Sequence, residues 1–229
     1  MRILFVSDMH IEKKELNEIY VNLLNFLSEK YEIDLILSGG DNGQEFNPED
    51  LNVKFYSIYG NHDSTKITES EWWLPDGLHI LGGVKVLAFN GIFGFREGNR
   101  KWYYRSLDDA VKIGFGYSGK RLFIFLSHEV PYGSLCGKNT QEYLGAMNFL
   151  VKKVEPLFWL NGHMHCRKPF DVYPGFIGQT TYIRVQSLAD NFGAIILDIE
   201  QGGIVDIITG SVEEKSLYSV FGNSKIEWG

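Results

Sequence analysis

The stretch Val53-Lys-Phe-Tyr-Ser-Ile-Tyr-Gly60-Asn61-His62-Asp63 decides the fold. Its first part, Val53 to Tyr59, is an apolar run broken by one lysine and one serine, and it reads as a strand. Gly60 then frees the backbone to turn. An amide, an imidazole and a carboxylate follow in succession, just past the strand's carboxyl end. In an open α/β sheet, ligands bind there. Asn-His-Asp after glycine is also ordinary turn chemistry, so the reading depends on whether other strands end in the same way.

They do. Arg2 to Ser7 is a short apolar run that ends in Asp8-Met9-His10. Asp34 to Ser38 runs into Gly39-Gly40-Asp41, Arg121 to Ser127 into His128, and Leu157 to Leu160 into Asn161-Gly162-His163-Met164-His165. Between the first two runs, Leu16, Ile19, Tyr20, Leu23, Leu24 and Leu27 recur at helical spacing. Strand–helix–strand alternation predicts an α/β protein with a mostly parallel sheet. Further along, Leu78 to Leu81 and Val84 to Phe89 flank Gly82-Gly83 as a hairpin. Helices are predicted over residues 106–113, with Ser106 as N-cap, and over 140–154, closed by Pro156. Thr180 to Val185, Ala194 to Ile199 and Ile204 to Ile208 read as antiparallel strands. With no repeat and no Pro/Ser-rich linker, one domain is expected over residues 1–229.

Composition narrows the function. A formal net charge of −7 argues against a protein that coats nucleic acid through its backbone phosphates. Two cysteines, Cys136 and Cys166, are too few for a disulfide framework. Free thiols in a reducing compartment are the expectation, with a single disulfide as the alternative. No run has the length of a membrane span, and the apolar start is too short for a signal-peptide core. A soluble cytoplasmic protein with no membrane partner is expected.

The histidines carry the chemistry. Five of the six, His10, His62, His128, His163 and His165, sit in strand-end clusters, and His79 lies in a hairpin strand as a structural residue. Asp8, Asp41 and Asp63 share those ends. Three carboxylates at one sheet edge would repel one another and raise their own pKa values, and a divalent cation removes that repulsion. Eight candidate oxygen and nitrogen donors exceed one coordination shell, so two cations fit better than one. Carboxylate with neutral imidazole suits Mn, Fe, Zn, Ni or Co, and is too nitrogen-rich for Ca or Mg. No thiolate set is present, and Cys166 is read as a non-ligand.

In order, Asp8-x-His10, Gly40-Asp41, Gly60-Asn-His-Asp63, His128 and Gly162-His-x-His165 resemble the calcineurin-like metallophosphoesterase family. The resemblance implies a two-sheet β-sandwich flanked by helices, four layers in the order αββα, with the metal site at the strand C-terminal ends. It implies that Asp8, His10 and His165 hold one metal, that Asn61, His128 and His163 hold the other, and that Asp41 bridges them. His62 would meet the leaving group, with Asp63 orienting its ring. Two divalent cations, manganese first among them, would then hydrolyse a phosphodiester or phosphomonoester by in-line attack of a shared hydroxide. Gly40-Asp41 continues as Asn42-Gly43-Gln44, and the tetrapeptide ends in Asp63. Both depart from the phosphoprotein phosphatases.

For substrate, Phe95 to Arg105 is a basic and aromatic exception in an acidic chain. Arg96 and Arg100 are its candidate phosphate contacts. The competing reading is a solvated loop whose aromatics pack under the next helix. Trp72-Trp73 reads as a core or wall element, and Tyr132 and Gly133 are candidates for the pocket border. A small phosphoester is the expected substrate. A DNA exo- or endonuclease of the same fold is the first alternative, disfavoured by the acidic charge. A non-catalytic metal-binding scaffold is the second.

Overall fold

Alternating burial along the strands sets the layers. The computed structural model describes residues 1–94, 102–131, 141–188 and 191–210. Arg2–Val6 (β1), Leu35–Ser38 (β2) and Lys54–Ser57 (β3) lie side by side and parallel, and helix Lys14–Tyr31 (α1) crosses between the first two. A hairpin follows, Gly77–Leu81 (β4) and Val84–Phe89 (β5), then two short strands, Ile92–Phe93 (β6) and Tyr104–Arg105 (β7). Helix Leu107–Gly116 (α2), strand Ile124–Ser127 (β8), helix Gln141–Val154 (α3) and strand Phe158–Asn161 (β9) come next. The chain continues through Phe170–Ile177 (β10), Thr180–Val185 (β11), Ser187–Leu188 (β12), Asn191–Asp198 (β13) and Gly203–Gly210 (β14).

These strands form two large sheets. One runs β12-β13-β1-β2-β3, with β14 on β13, and the other runs β10-β11-β9-β8-β5-β4. Ile3, Phe5, Leu35 and Leu37 point from the first sheet toward Val86, Ala88, Ile124, Leu126, Leu160 and Val185 of the second. Their neighbours Leu4, Val6 and Ile36 point the other way, onto Tyr20, Leu23, Leu24 and Leu27 of α1. On the far side of the second sheet, Leu87, Phe125 and Trp159 meet Ala110 of α2 and Met147, Leu150, Val151 and Val154 of α3. The order is helix, sheet, sheet, helix, as the resemblance implied. Each buried aliphatic or phenyl side chain contributes about 1.5–3 kcal/mol over leaving it in water, so these three interfaces fix the sandwich.

Strand direction differs from expectation in the last third. β11 pairs with β10 antiparallel but with β9 parallel, so the parallel core of the second sheet runs β5-β8-β9-β11. β10 was not anticipated. Pro174-Gly175 interrupts its pattern, and as an edge strand it absorbs them with a register shift between Tyr173 and Ile177.

Register sets the level at which strands end. Val6, Ser38 and Ser57 are cross-strand partners in one sheet, and Phe89, Ser127 and Asn161 are partners in the other. The polar residues that follow each therefore emerge at a common height on facing sheets.

Candidate metal centre

Asp8 leaves the end of β1, Asp41 follows β2, Asn61 and His62 follow β3, His128 follows β8, and His163 and His165 follow β9. Two triads result: Asp8, His10 and His165, then Asp41, His128 and His163. In each, donor atoms lie within 4.8 Å of one another. In the first, His165 Nε2 is 3.2 Å from Asp8 Oδ1 and 3.3 Å from His10 Nε2. Asp41 joins the two sets, since its Oδ2 lies 3.2 Å from His128 Nε2 and 3.9 Å from His10 Nε2. The chain brings together Asp8, His10, Asp41, His128, His163 and His165 of the residues that the sequence suggested as metal ligands, and Asn61 stands outside both triads.

Two buried atoms lack a hydrogen-bond partner where a cation would supply one: Asn61 Oδ1 and His128 Nε2. The His128 ring donates through Nδ1 to Gly39 O at 2.7 Å. That bond leaves the lone pair of a neutral ring on Nε2, the arrangement of a metal-bound histidine held by a backbone carbonyl. Nε2 approaches Asp41 Oδ2 without hydrogen-bond geometry. Carboxylates and imidazole nitrogens converging in this way fit a divalent first-row cation. The residues present therefore suit two such ions.

The backbone is bent to aim these donors. Among the described residues, seven non-glycine positions have positive φ, and four of them are Asp8 (57°), His10 (49°), Asp41 (53°) and His163 (68°). Such conformations cost on the order of 1–3 kcal/mol each and persist only when the surroundings over-determine them. The surroundings do so here. The His163 amide donates to both Asp8 oxygens, and the His62 amide donates to Asp41 Oδ1 at 2.7 Å.

Charge is concentrated and poorly solvated. Burial opposes ionisation of Asp8, but the hydrogen bond to His165 and the charge of His128 hold it below the usual carboxylate range. Burial likewise opposes ionisation of Asp41, and His128 reverses the balance. His128 is pushed up to about 10, because the Asp41 carboxylate outweighs its burial. Burial and the His128 charge press His163 down to about 4. In the metal-free chain a proton on His128 thus stands where cation charge is wanted, and ligation requires its release.

Asp63 differs from expectation. It does not orient the His62 ring. Its oxygens accept from the amides of Gly60 and Asp41 at 2.8 Å, Asn42 at 2.9 Å and Gly43 at 3.4 Å. It ties the loop after β3 to the loop after β2. Burial and the neighbouring Asp41 charge raise its pKa to about 6, against the pull of those amides. The His62 ring is exposed and edge-on to His10, with centroids 5.0 Å apart. Gly60 also has a different reason to be glycine. It has no left-handed φ, but a Cβ there would lie 2.2 Å from Asp41 Oδ1 and 2.6 Å from the His128 ring.

Other expectations sort by packing. His79 Nε2 donates to Pro75 O, a structural bond. Trp72 packs against Phe46 and Phe55, while Trp73 stacks on Tyr59 and donates to Asn90 Oδ1. Both are wall elements. Asn90, which sequence reading passed over, also accepts from the Tyr59 amide and so steadies the loop that carries Asn61. Cys166 is disulfide-bonded, which overturns the expectation of free thiols. The chain's other cysteine, Cys136, lies outside the described residues, as do Arg96, Arg100, Tyr132 and Gly133. Of the basic and aromatic segment, Tyr103 is buried, and Arg105 pairs with Asp76 and lies over the Phe89 ring. Tyr103 packs against Tyr59 and Ile67, not under the following helix. Among the described residues, no helix is long and apolar enough to cross a membrane.

The chain is thus a four-layer sandwich with paired donor sets at facing strand ends. The sequence profile for calcineurin-like phosphoesterase matches residues 1–167, and the chain belongs to that family. No match was found among curated proteins. Solved structures share the fold at low identity. TT1561 of Thermus thermophilus is 16% identical with a TM-score of 0.64, the match covering 93% of this chain and 99% of that one. A phosphatase from Mycoplasma pneumoniae is 12% identical with a TM-score of 0.57, covering 97% and 98%. GAP50, the anchor in the inner membrane complex of Plasmodium, is 11% identical with a TM-score of 0.58, covering 97% and 94%.

Proposed function

We propose that the chain is a dinuclear-metal hydrolase of a small phosphodiester or phosphomonoester. Asp8, His10 and His165 hold one cation, Asn61, His128 and His163 the other, and Asp41 lies between them. The observation that carries this reading is Asp41 Oδ2, which faces both histidine sets at 3.2 and 3.9 Å. Bound there, two divalent ions lower the pKa of water and offset the charge that develops on phosphate oxygens. The family membership supports hydrolysis, and manganese is the ion we assign first.

His62 is the residue left for the leaving group. Its backbone amide is fixed on Asp41 while its ring is exposed beside His10, free of the ligand triads. From there the imidazole can give a proton, or a hydrogen bond, to the departing oxygen. Asp63 contributes by locking the loops and not by touching the substrate.

With manganese added, the purified protein is expected to cleave an aryl phosphodiester. His62→Ala is expected to lower kcat by about 10²–10⁴-fold with both ions retained. The fold-level likeness to the Plasmodium anchor raises a competing reading, a scaffold that binds metal without turning over. The intact donor set and the free His62 weigh against it. Wild-type protein that carries two ions yet cleaves nothing in a panel of mono- and diesters, nucleotides and single-stranded DNA would favour that scaffold.

A further inference from the structure

Arg184 lies in the middle of an apolar strand, Tyr182-Ile183-Arg184-Val185, and is fully buried. A buried guanidinium is costly unless each donor finds a partner. Here Nε donates to Asp171 Oδ2 at 2.7 Å, Nη1 to Met164 O at 2.9 Å and to Gln186 Oε1 at 3.2 Å, and Nη2 to Lys168 O at 2.9 Å. Two of those acceptors are main-chain carbonyls of the irregular segment that leaves β9 with His163 and His165. Register explains the reach, because Arg184 is the cross-strand partner of Asn161, the last residue of β9.

Gln186 completes the grip. Its Oε1 accepts from the Cys166 amide at 2.7 Å and its Nε2 donates to Cys166 O at 3.2 Å. The residues on either side of His165 are therefore held from β11 and from the residue just beyond it. His163 is held differently, through its amide on Asp8. One loop thus carries two candidate ligands with separate supports.

We infer that Arg184, with Gln186, is a positioning residue that aims His165 into the Asp8–His10 site, so that one of two metal sites depends on it and the other does not. The inference rests on the dinuclear reading above. It also accounts for an ionised side chain kept inside a strand where an aliphatic one would pack at less cost.

The test is a manganese titration of the metal-stripped chain by calorimetry, with circular dichroism and thermal melting as fold controls. A phosphine reductant opens the disulfide at Cys166, so that the covalent link does not mask the loss of the clamp. Arg184→Lys keeps a charge beside Asp171 but cannot reach both loop carbonyls. Gln186→Leu, a neutral change, removes both contacts to Cys166. Each is expected to weaken one ion by about 10–100-fold and to leave the other within about twofold. A folded variant that binds both ions as wild type does, or loses both equally, overturns the clamp. If Arg184→Lys does not fold, Gln186→Leu decides by the same criteria. A wild-type chain that fails to bind two ions in the same titration removes the dinuclear reading, and the clamp with it.

Discussion

At the scale of residues, the site is made by conformations that most side chains avoid. Asp8, His10, Asp41 and His163 all take left-handed φ values. Aspartate and histidine tolerate that region better than branched residues do, which is one reason short polar side chains can serve both as turn and as ligand. Gly60 shows the opposite constraint, a position defined by what cannot be added. Gly60→Ala would place a methyl group 2.2 Å from Asp41 Oδ1 and 2.6 Å from the His128 ring. The expected outcome is a stability loss of about 1–3 kcal/mol together with loss of tight manganese binding. Thermal melting and metal titration check the two parts separately. An alanine variant that melts lower yet binds both ions normally would show that the Asp41–His128 contact does not set the site. The sequence showed which residue types gather here. It did not show what each holds, because Asp63 reads equally well as a partner of His62 or of the loop amides until the loops after β2 and β3 are seen packed together.

At the scale of elements, local chemistry was legible where one element supplies its own reasons. The Ser106 cap of α2 is such a case. Its hydroxyl accepts from the Asp109 amide, and Asp109 accepts in return from the Ser106 amide. Burial resists ionisation of Asp109, but the Ser106 donors win and hold its carboxyl below the ordinary value. A depressed folded-state pKa contributes stability above the unfolded-state pKa and loses it as pH falls through the folded value. Asp109→Ala is therefore expected to lower the melting temperature at pH 7, with the gap to wild type narrowing below about pH 4. A gap independent of pH would mean that the carboxylate charge does not support the cap. Ser106→Ala should cost about 0.5–2 kcal/mol, read by denaturant unfolding. Elsewhere the pattern misled. β10 hid behind Pro174-Gly175, and the direction of β11 was not readable, since buried parallel and antiparallel strands have the same apolar texture. Arg184 is the exception that sequence does show, a lone charge in an otherwise buried strand.

At the scale of the whole molecule, the site exists because two sheets with matched strand ends pack face to face. Each sheet alone presents one row of polar ends. Only the sandwich sets Asp41 against His128 and Asp8 against His163 and His165. The order of motifs along the chain implied that arrangement through family resemblance, and no single motif did. Structural likeness at 11–16% identity extends to the fold and no further, so the proposed function rests on family membership and on the donors themselves. Their most direct test is anomalous diffraction from crystals of the wild-type chain soaked in manganese. The account predicts two peaks per chain, about 3.5–4 Å apart, on either side of the Asp41 carboxylate. No peak, one peak, or a pair away from Asp41 would contradict it.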